Sequence, residues 1–271
     1  MRSAWLHGRD QTELGAIETC AEGVAALALS LGGAKKLYPH TDPNEDGALF
    51  ASGAGGTLLA VADGHGGVDA SEAALGCVLE TLAPDWTSTE RPLRGRWEAA
   101  AHSALAACED AIVNCAASGG RRLSQTTLAI ALLRPAEGLL FFASIGDSHL
   151  YQLRGERALD LAGERSASGK LFFLGMGRKD RAALSEKCVV GTVALAGVRA
   201  VVLATDGLSE RGVGVDDPAV TVAEVSARAA QAPVPLRALE TSRGLVQAAL
   251  EAQRRNASGD NVAAAVAWLE P

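Results

Sequence analysis

Three apolar runs in this chain end in the same way, on an aspartate set in a turn. Leu58–Ala62 runs into Asp63-Gly64-His65-Gly66-Gly67, Ala143–Ile145 into Gly146-Asp147-Ser148, and Val201–Ala204 into Thr205-Asp206-Gly207. A fourth acidic turn, Ser258-Gly259-Asp260-Asn261, precedes an apolar run instead of following one. A strand that ends in Asp delivers a carboxylate at its tip. Neighbouring glycines allow positive φ and close approach of another group. Asp-Gly alone is an ordinary turn signal; four acidic turns bordering strands could converge on one point. Carboxylates are hard oxygen ligands, so such a cluster selects Mg²⁺ or Mn²⁺ over zinc or copper. Asp63, Asp206 and Asp260 are the candidate ligands for two ions, with the Gly64 carbonyl beside them. Two such ions, about 3.5–4 Å apart in known sites, clamp the attacking and leaving oxygens of an in-line displacement, and water shared between them ionises near neutral pH. The chemistry expected is hydrolysis of a phosphate monoester without an enzyme nucleophile.

The elements that must position these carboxylates are read from apolar patterning. Gly23–Leu31, a short segment at Ala48-Leu49-Phe50, Leu58–Ala62, Thr126–Leu133, Leu139–Ser144, His149–Arg154, Cys188–Ala196, Val198–Ala204 and Asn261–Leu269 read as strands. Asp69–Leu82, closed by Pro84, and Pro92–Ala117 read as helices. Pro218–Ala232, opened by Asp216-Asp217-Pro218, and Pro235–Gln253 are two more. Met1–Thr19 is mixed and polar, a poorly specified start. Lys35–Asp46 is a polar loop, Gly53–Gly56 a hairpin turn and Gly119–Ser124 a basic turn. Asp160–Arg181, rich in Gly and charge, reads as a mobile connection carrying one packed apolar patch at Leu171–Leu174. Strands do not alternate regularly with helices. The expected class is therefore α+β, with antiparallel sheets and helices packed outside them, in one domain spanning 1–271.

Composition narrows the function further. The chain has 271 residues and a net charge of −7 from 25 basic and 32 acidic residues. That balance argues against a nucleic-acid partner, which needs a basic field. Five cysteines without CxxC spacing are neither a disulfide framework nor a zinc site, and point to a reducing compartment. No signal-peptide layout or membrane-length apolar run is found, so a cytoplasmic protein without a membrane partner is expected. Gly53–Gly56 precedes a strand, so it is not a dinucleotide fingerprint, and no Walker-type phosphate loop occurs.

The set Asn44-Glu45-Asp46, Val61–Gly67, Gly146-Asp147-Ser148, Ala204–Leu208 and Gly259-Asp260-Asn261 resembles, in order, the motifs of the PP2C (PPM) family of metal-dependent protein Ser/Thr phosphatases. The resemblance implies a central β-sandwich of two antiparallel sheets flanked by helix pairs, a four-layer αββα architecture. It implies hydrolysis of phosphoserine and phosphothreonine in a protein substrate, opposing a Ser/Thr kinase. Residue by residue, Asp63 matches the bridging ligand and Gly64 its carbonyl partner, while Asp206 and Asp260 match the other core ligands. Glu45 and Asp46 match an acidic pair that binds metal directly or through water. Asp147, assisted by Glu210, matches a ligand of a third, weaker ion, and His65 stands where a histidine general acid is proposed. The chain also departs from the family. Many members carry a phosphate-binding Arg four residues before the position of Glu45, and here that residue is Thr41. Lys35, Lys36 and His40 are the nearby substitutes, though a lysine lacks the fork of an arginine. His149 follows Asp147-Ser148 where an Arg is common and reads as a strand-edge residue. Asp206 comes 59 positions after Asp147, an interval that implies a trimmed flap. The departures leave an alternative, a non-catalytic relative that binds a phosphoprotein or a regulator.

Overall fold

The computed structural model describes residues 1–90, 92–119, 124–162, 172–176 and 181–269. The chain opens with β1 (Arg2–His7), β2 (Glu18–Glu22), β3 (Ala25–Ser30), β4 (Gly47–Gly53), β5 (Gly56–Ala62) and β6 (Gly64–His65). Helices α1 (Asp69–Cys77), α2 (Ala83–Trp86) and α3 (Trp97–Gly119) follow. Next come β7 (Gln125–Thr126), β8 (Leu128–Arg134), β9 (Leu139–Ile145), β10 (His149–Arg154), β11 (Arg157–Asp160), α4 (Arg181–Lys187), β12 (Val189–Ala194) and β13 (Ala200–Ala204). Helices α5 (Pro218–Ala229) and α6 (Arg237–Asn256) precede β14 (Val262–Trp268).

Two six-stranded sheets form, ordered β1-β4-β5-β8-β9-β12 and β11-β10-β13-β14-β3-β2, with antiparallel pairing. The period-two alternation of a strand explains how they stack. Leu59 and Val61 of β5 meet Leu203 and Ala265 of the other sheet, whereas Leu58 and Ala60 meet Leu75 and Leu105 of α1 and α3. On the far side, Val202 and Val266 pack against Val225, Leu245 and Leu250 of α5 and α6. Four layers result. Strands buried on both faces need apolar residues at every position, which is why β5, β13 and β14 read as continuous apolar runs.

The first turn of α5 is capped as its sequence suggests: Asp217 accepts from the Val220 amide at 3.0 Å. Elsewhere the structure corrects the expectations. Met1–Thr19 contains regular structure: β1 pairs with β4, Trp5 opposite Leu49, and β2 begins at Glu18 against β3. Both are edge strands with partly exposed faces, so pairing, with distant β4 for β1 and with adjacent β3 for β2, defines them rather than apolar content. Pro84 does not end the helical region. A single π turn at Val78–Leu82 follows α1, and Pro84 sits at the start of α2, where its missing N–H is not needed. The long helix starts at Trp97 rather than Pro92. Within the expected connection Asp160–Arg181, Leu174 is buried and exchanges backbone hydrogen bonds with Thr126 at 2.9 and 3.0 Å. Positions 163–171 and 177–180 of that stretch, and most of the expected basic turn, 120–123, lie outside the described residues. Among the described residues no helix is long and apolar enough to cross a membrane.

Candidate active site

At one rim of the sandwich β5, β9 and β13 run out and β14 begins. The structure brings together there the aspartates that follow or precede them. Carboxylate oxygens of Asp63, Asp147 and Asp206 all lie within 4.8 Å of one another. Asp260 faces the same cavity as Asp63 and Asp206; its Oδ1 accepts from the Tyr38 hydroxyl and the Asn261 amide, with Lys36 Nζ 3.2 Å away. Asp63, Gly64, His65, Glu45, Asp206, Glu210 and Asp260 line a cavity of about 260 Å³. All the sequence-predicted site residues fall at this rim, though with different degrees of freedom.

Each carboxylate is held by the turn that carries it. Thr127 Oγ1 accepts from the Asp63 amide at 3.0 Å and shares a 2.8 Å bond with Ser148, so one side chain ties the Asp63 turn to the Asp147 turn. Gly146, at φ +96°, lies so close to Thr127 that a Cβ would stand 2.5 Å from its Cγ2. Thr205 performs the same service for the other sheet: its hydroxyl donates to Asp46 Oδ2 at 2.7 Å and accepts from the Ala263 amide at 2.8 Å. Glu45 is more committed than its role as a ligand candidate suggests. Its Oε1 accepts from the Thr41 and Asp42 amides, both at 3.0 Å, while its carbonyl accepts from the Gly64 amide at 3.1 Å. His65 is half exposed, with Nδ1 3.9 Å from Asp63 Oδ1 and its ring 4.6 Å from that of Phe173.

Gln253 of α6 had not been singled out from sequence. It is fully buried, gives Nε2 to the carbonyls of Gly207 (3.2 Å) and Asp260 (3.0 Å), and takes the Gly33 amide on Oε1 at 2.7 Å. One signal for it existed: Gln253 continues the apolar face Val246-Ala249-Leu250, and a polar residue on a core face must have partners. His149 is also more than a strand-edge residue. Its Nε2 lies 2.5 Å from Ser209 Oγ and its Nδ1 2.7 Å from Asp160 Oδ2, the bonding order of nucleophile, base and orienting acid. The Ser209 and Glu210 amides, however, both donate to Asp206 O at 2.6 Å. Neither is left to stabilise an oxyanion, and the trio works as a brace for the Asp206 turn.

The electrostatics are those of a cation site. Burial, then repulsion from Asp206, Asp46, Asp260 and Asp147, holds the Asp63 carboxyl well above the usual range. Burial, then Asp260 and Asp147, does the same at Asp206. Asp46 and Glu210 are each pushed up to about 7, in both cases by burial and next by Asp260. Asp147 Oδ1 and Glu210 Oε2 are buried without a hydrogen-bond partner among the described residues. Buried unpaired carboxylate oxygens are costly, and an all-oxygen donor set of this kind fits a hard divalent cation.

This fold and this carboxylate-lined rim define a class, the protein Ser/Thr phosphatases of four-layer αββα architecture. The chain belongs to the protein phosphatase 2C family, whose model matches residues 37–253. Among solved structures it is similar to the serine/threonine phosphatase PstP/Ppp of Mycobacterium tuberculosis, at 25% identity and a TM-score of 0.65, over 91% of this chain and 98% of that one. A structure of the PstP catalytic domain in complex with two manganese ions matches at 22% identity and a TM-score of 0.62, over 94% of this chain and all of the other. A C. elegans sex-determining protein matches at 21% identity and a TM-score of 0.68, over 96% of this chain and 66% of that one. No curated protein matches the sequence.

Proposed function

We propose that this chain, as one domain over 1–271, removes phosphate from phosphoserine and phosphothreonine in proteins and opposes a Ser/Thr kinase in the cytoplasm. Two divalent cations, Mn²⁺ or Mg²⁺, are held by Asp63, the Gly64 carbonyl, Asp206 and Asp260. Asp147 and Glu210 offer oxygens for a third, and Glu45 and Asp46 complete the acidic wall. When bound, the cations supply the positive charge that a phosphoryl group needs and the lowered pKa that ionises water near neutral pH.

The chain's own residues do the rest. The crowded carboxylates of Asp63, Asp147 and Asp206 repel a phosphate dianion unless cations are present, so the rim is built to make substrate binding metal-dependent. That acidic cluster is the observation that carries the reading. His65 stands at the cavity edge with its ring against Phe173. There it can deliver a proton to the departing serine or threonine oxygen. The tethers from Thr127 and Thr205 fix the aspartates before substrate arrives, so little reorganisation is left for the reaction step.

The test is Mn²⁺-dependent hydrolysis of p-nitrophenyl phosphate and of a phosphothreonine peptide by the wild type and by Asp63→Asn. Removing one shared ligand should lower kcat/KM by about 10²-fold or more. Thr41, at the place where many family members have a phosphate-binding arginine, favours a second reading, a non-catalytic phosphoprotein-binding relative. Absence of turnover by the wild type with Mn²⁺ present would decide for it.

A further inference from the structure

One cation at the acidic rim belongs to the chain itself. Lys36 leaves the loop before β4 with only 6% of its side chain exposed. Its ammonium donates to Asn261 Oδ1 at 2.6 Å and lies 3.2 Å from Asp260 Oδ1. The ring of Tyr38 stands beside it, Nζ being 5.2 Å from the centroid. The Tyr38 hydroxyl donates to the same Asp260 oxygen, and the Asn261 amide reaches that oxygen at 2.8 Å. Three donors thus converge on Asp260 Oδ1, while the Glu210 side chain also meets this carboxyl. Asn261 in turn takes the Glu45 amide at 2.9 Å and gives its Nδ2 to the carbonyls of Leu31 and Pro43. The ammonium therefore sits on a rigid base.

We infer that Lys36 and Tyr38 are positioning residues that orient Asp260, and that Lys36 is also a resident counter-charge that sets how tightly the rim takes divalent cations. The inference rests on the metal-dependent reading above. A compact point charge among Asp46, Asp260 and Glu210 offsets part of their repulsion, which the chain would otherwise leave wholly to metal. Burial and Asp260 raise Asp46 and Glu210, while Lys36 pulls both the other way. The same charge repels an incoming divalent ion. Lys36 therefore weakens cation binding while holding a ligand in place, and these two effects can be separated by experiment.

Isothermal titration of the chelator-stripped full chain with Mn²⁺ separates them. Lys36→Met keeps the apolar stem and removes the charge. It should bind Mn²⁺ about tenfold tighter, because one unit of repulsion is lost at short range. At saturating Mn²⁺ its kcat on p-nitrophenyl phosphate should fall about tenfold, because Asp260 is no longer pinned. Lys36→Arg keeps the charge, and Tyr38→Phe keeps both charge and ring; each should stay within about threefold of wild-type affinity. A purely structural role predicts the opposite sign for Lys36→Met, weaker Mn²⁺ binding together with lower activity. Weaker or unchanged Mn²⁺ affinity in Lys36→Met overturns the inference. Should that variant not fold, Lys36→Gln is read by the same criterion. A tighter Lys36→Met with no turnover by the wild type would overturn the phosphatase reading alone. A wild type that binds no Mn²⁺ would overturn both.

Discussion

Thr205 shows how much of the site depends on single hydroxyls. It is fully buried, and its one oxygen serves Asp46 from one loop and the Ala263 amide from the start of β14. Thr205→Val preserves shape and removes both bonds, leaving a buried amide and a buried carboxylate oxygen unsatisfied. Each such loss costs about 1–3 kcal/mol, so urea denaturation should show a destabilisation of roughly 2–4 kcal/mol. Thr205→Ser should restore most of it, and full stability in the valine variant would refute the tether. At this scale the sequence announces ligands better than supports. Asp63, Asp147 and Asp206 stand out because each closes an apolar run beside a glycine or threonine turn. Thr205, Thr127 and Gln253 do not, because most of what they bond lies tens to hundreds of positions away. Only geometry shows that Gln253 reaches Gly33, a partner 220 residues distant.

Elements deliver the carboxylates to one rim because their turns can pass through very tight spaces. Gly259 is the limiting case. A Cβ there would stand 1.7 Å from the Ala34 carbonyl oxygen, a backbone atom that cannot move aside. Gly259→Ala should destabilise the fold by about 3 kcal/mol or more and weaken Mn²⁺ binding, since Asp260 is the next residue. Gly76→Ala is the contrasting substitution. Gly76 lies within α1, and its added methyl meets only Trp5 at an ordinary 3.6 Å. There the gain in helix propensity should stabilise by about 0.5–1 kcal/mol. Thermal melts of the two variants decide whether glycine is needed for space or merely tolerated. The strands were legible where both faces are buried, as in β5, β9 and β13, since every position is then apolar. β1 was not, because it is completed by β4 and pairing across 40 or more residues leaves no local pattern; β2 is the near hairpin partner of β3, but its half-exposed, partly polar residues carry no apolar run. The two C-terminal helices were legible, α5 from the Asp216-Asp217-Pro218 opening that starts it at Pro218 as read, with the other three ends displaced by two or three residues.

At the scale of the whole molecule, a sandwich with buried carboxylates at one rim must have a stability that depends on pH and on metal together. Asp46 and Glu210 are raised to about 7, and Asp63 and Asp206 are raised as well. Between about pH 4, where carboxylates of the unfolded chain ionise, and pH 7, the native protein therefore holds protons that the unfolded chain has released. With more protons bound in the native state, unfolding free energy falls as pH rises. Their stabilising contribution is complete below the unfolded values and is lost through the folded ones. Glu137, lowered by the Arg94 and Leu93 amides and by Arg134 against the effect of its burial, has the opposite sign but acts below its ordinary range, outside this window. Divalent cations bind only the deprotonated set, so their stabilisation grows with pH. In chelator, the melting temperature should drop by several degrees between about pH 5.5 and 7.5. The increment from millimolar Mn²⁺ should be larger at about pH 7.5 than at 5.5. The two trends have opposite slopes and one cause. If the melting temperature in chelator rises over that interval, or the Mn²⁺ increment shrinks, the carboxylates do not share a rim in the native protein.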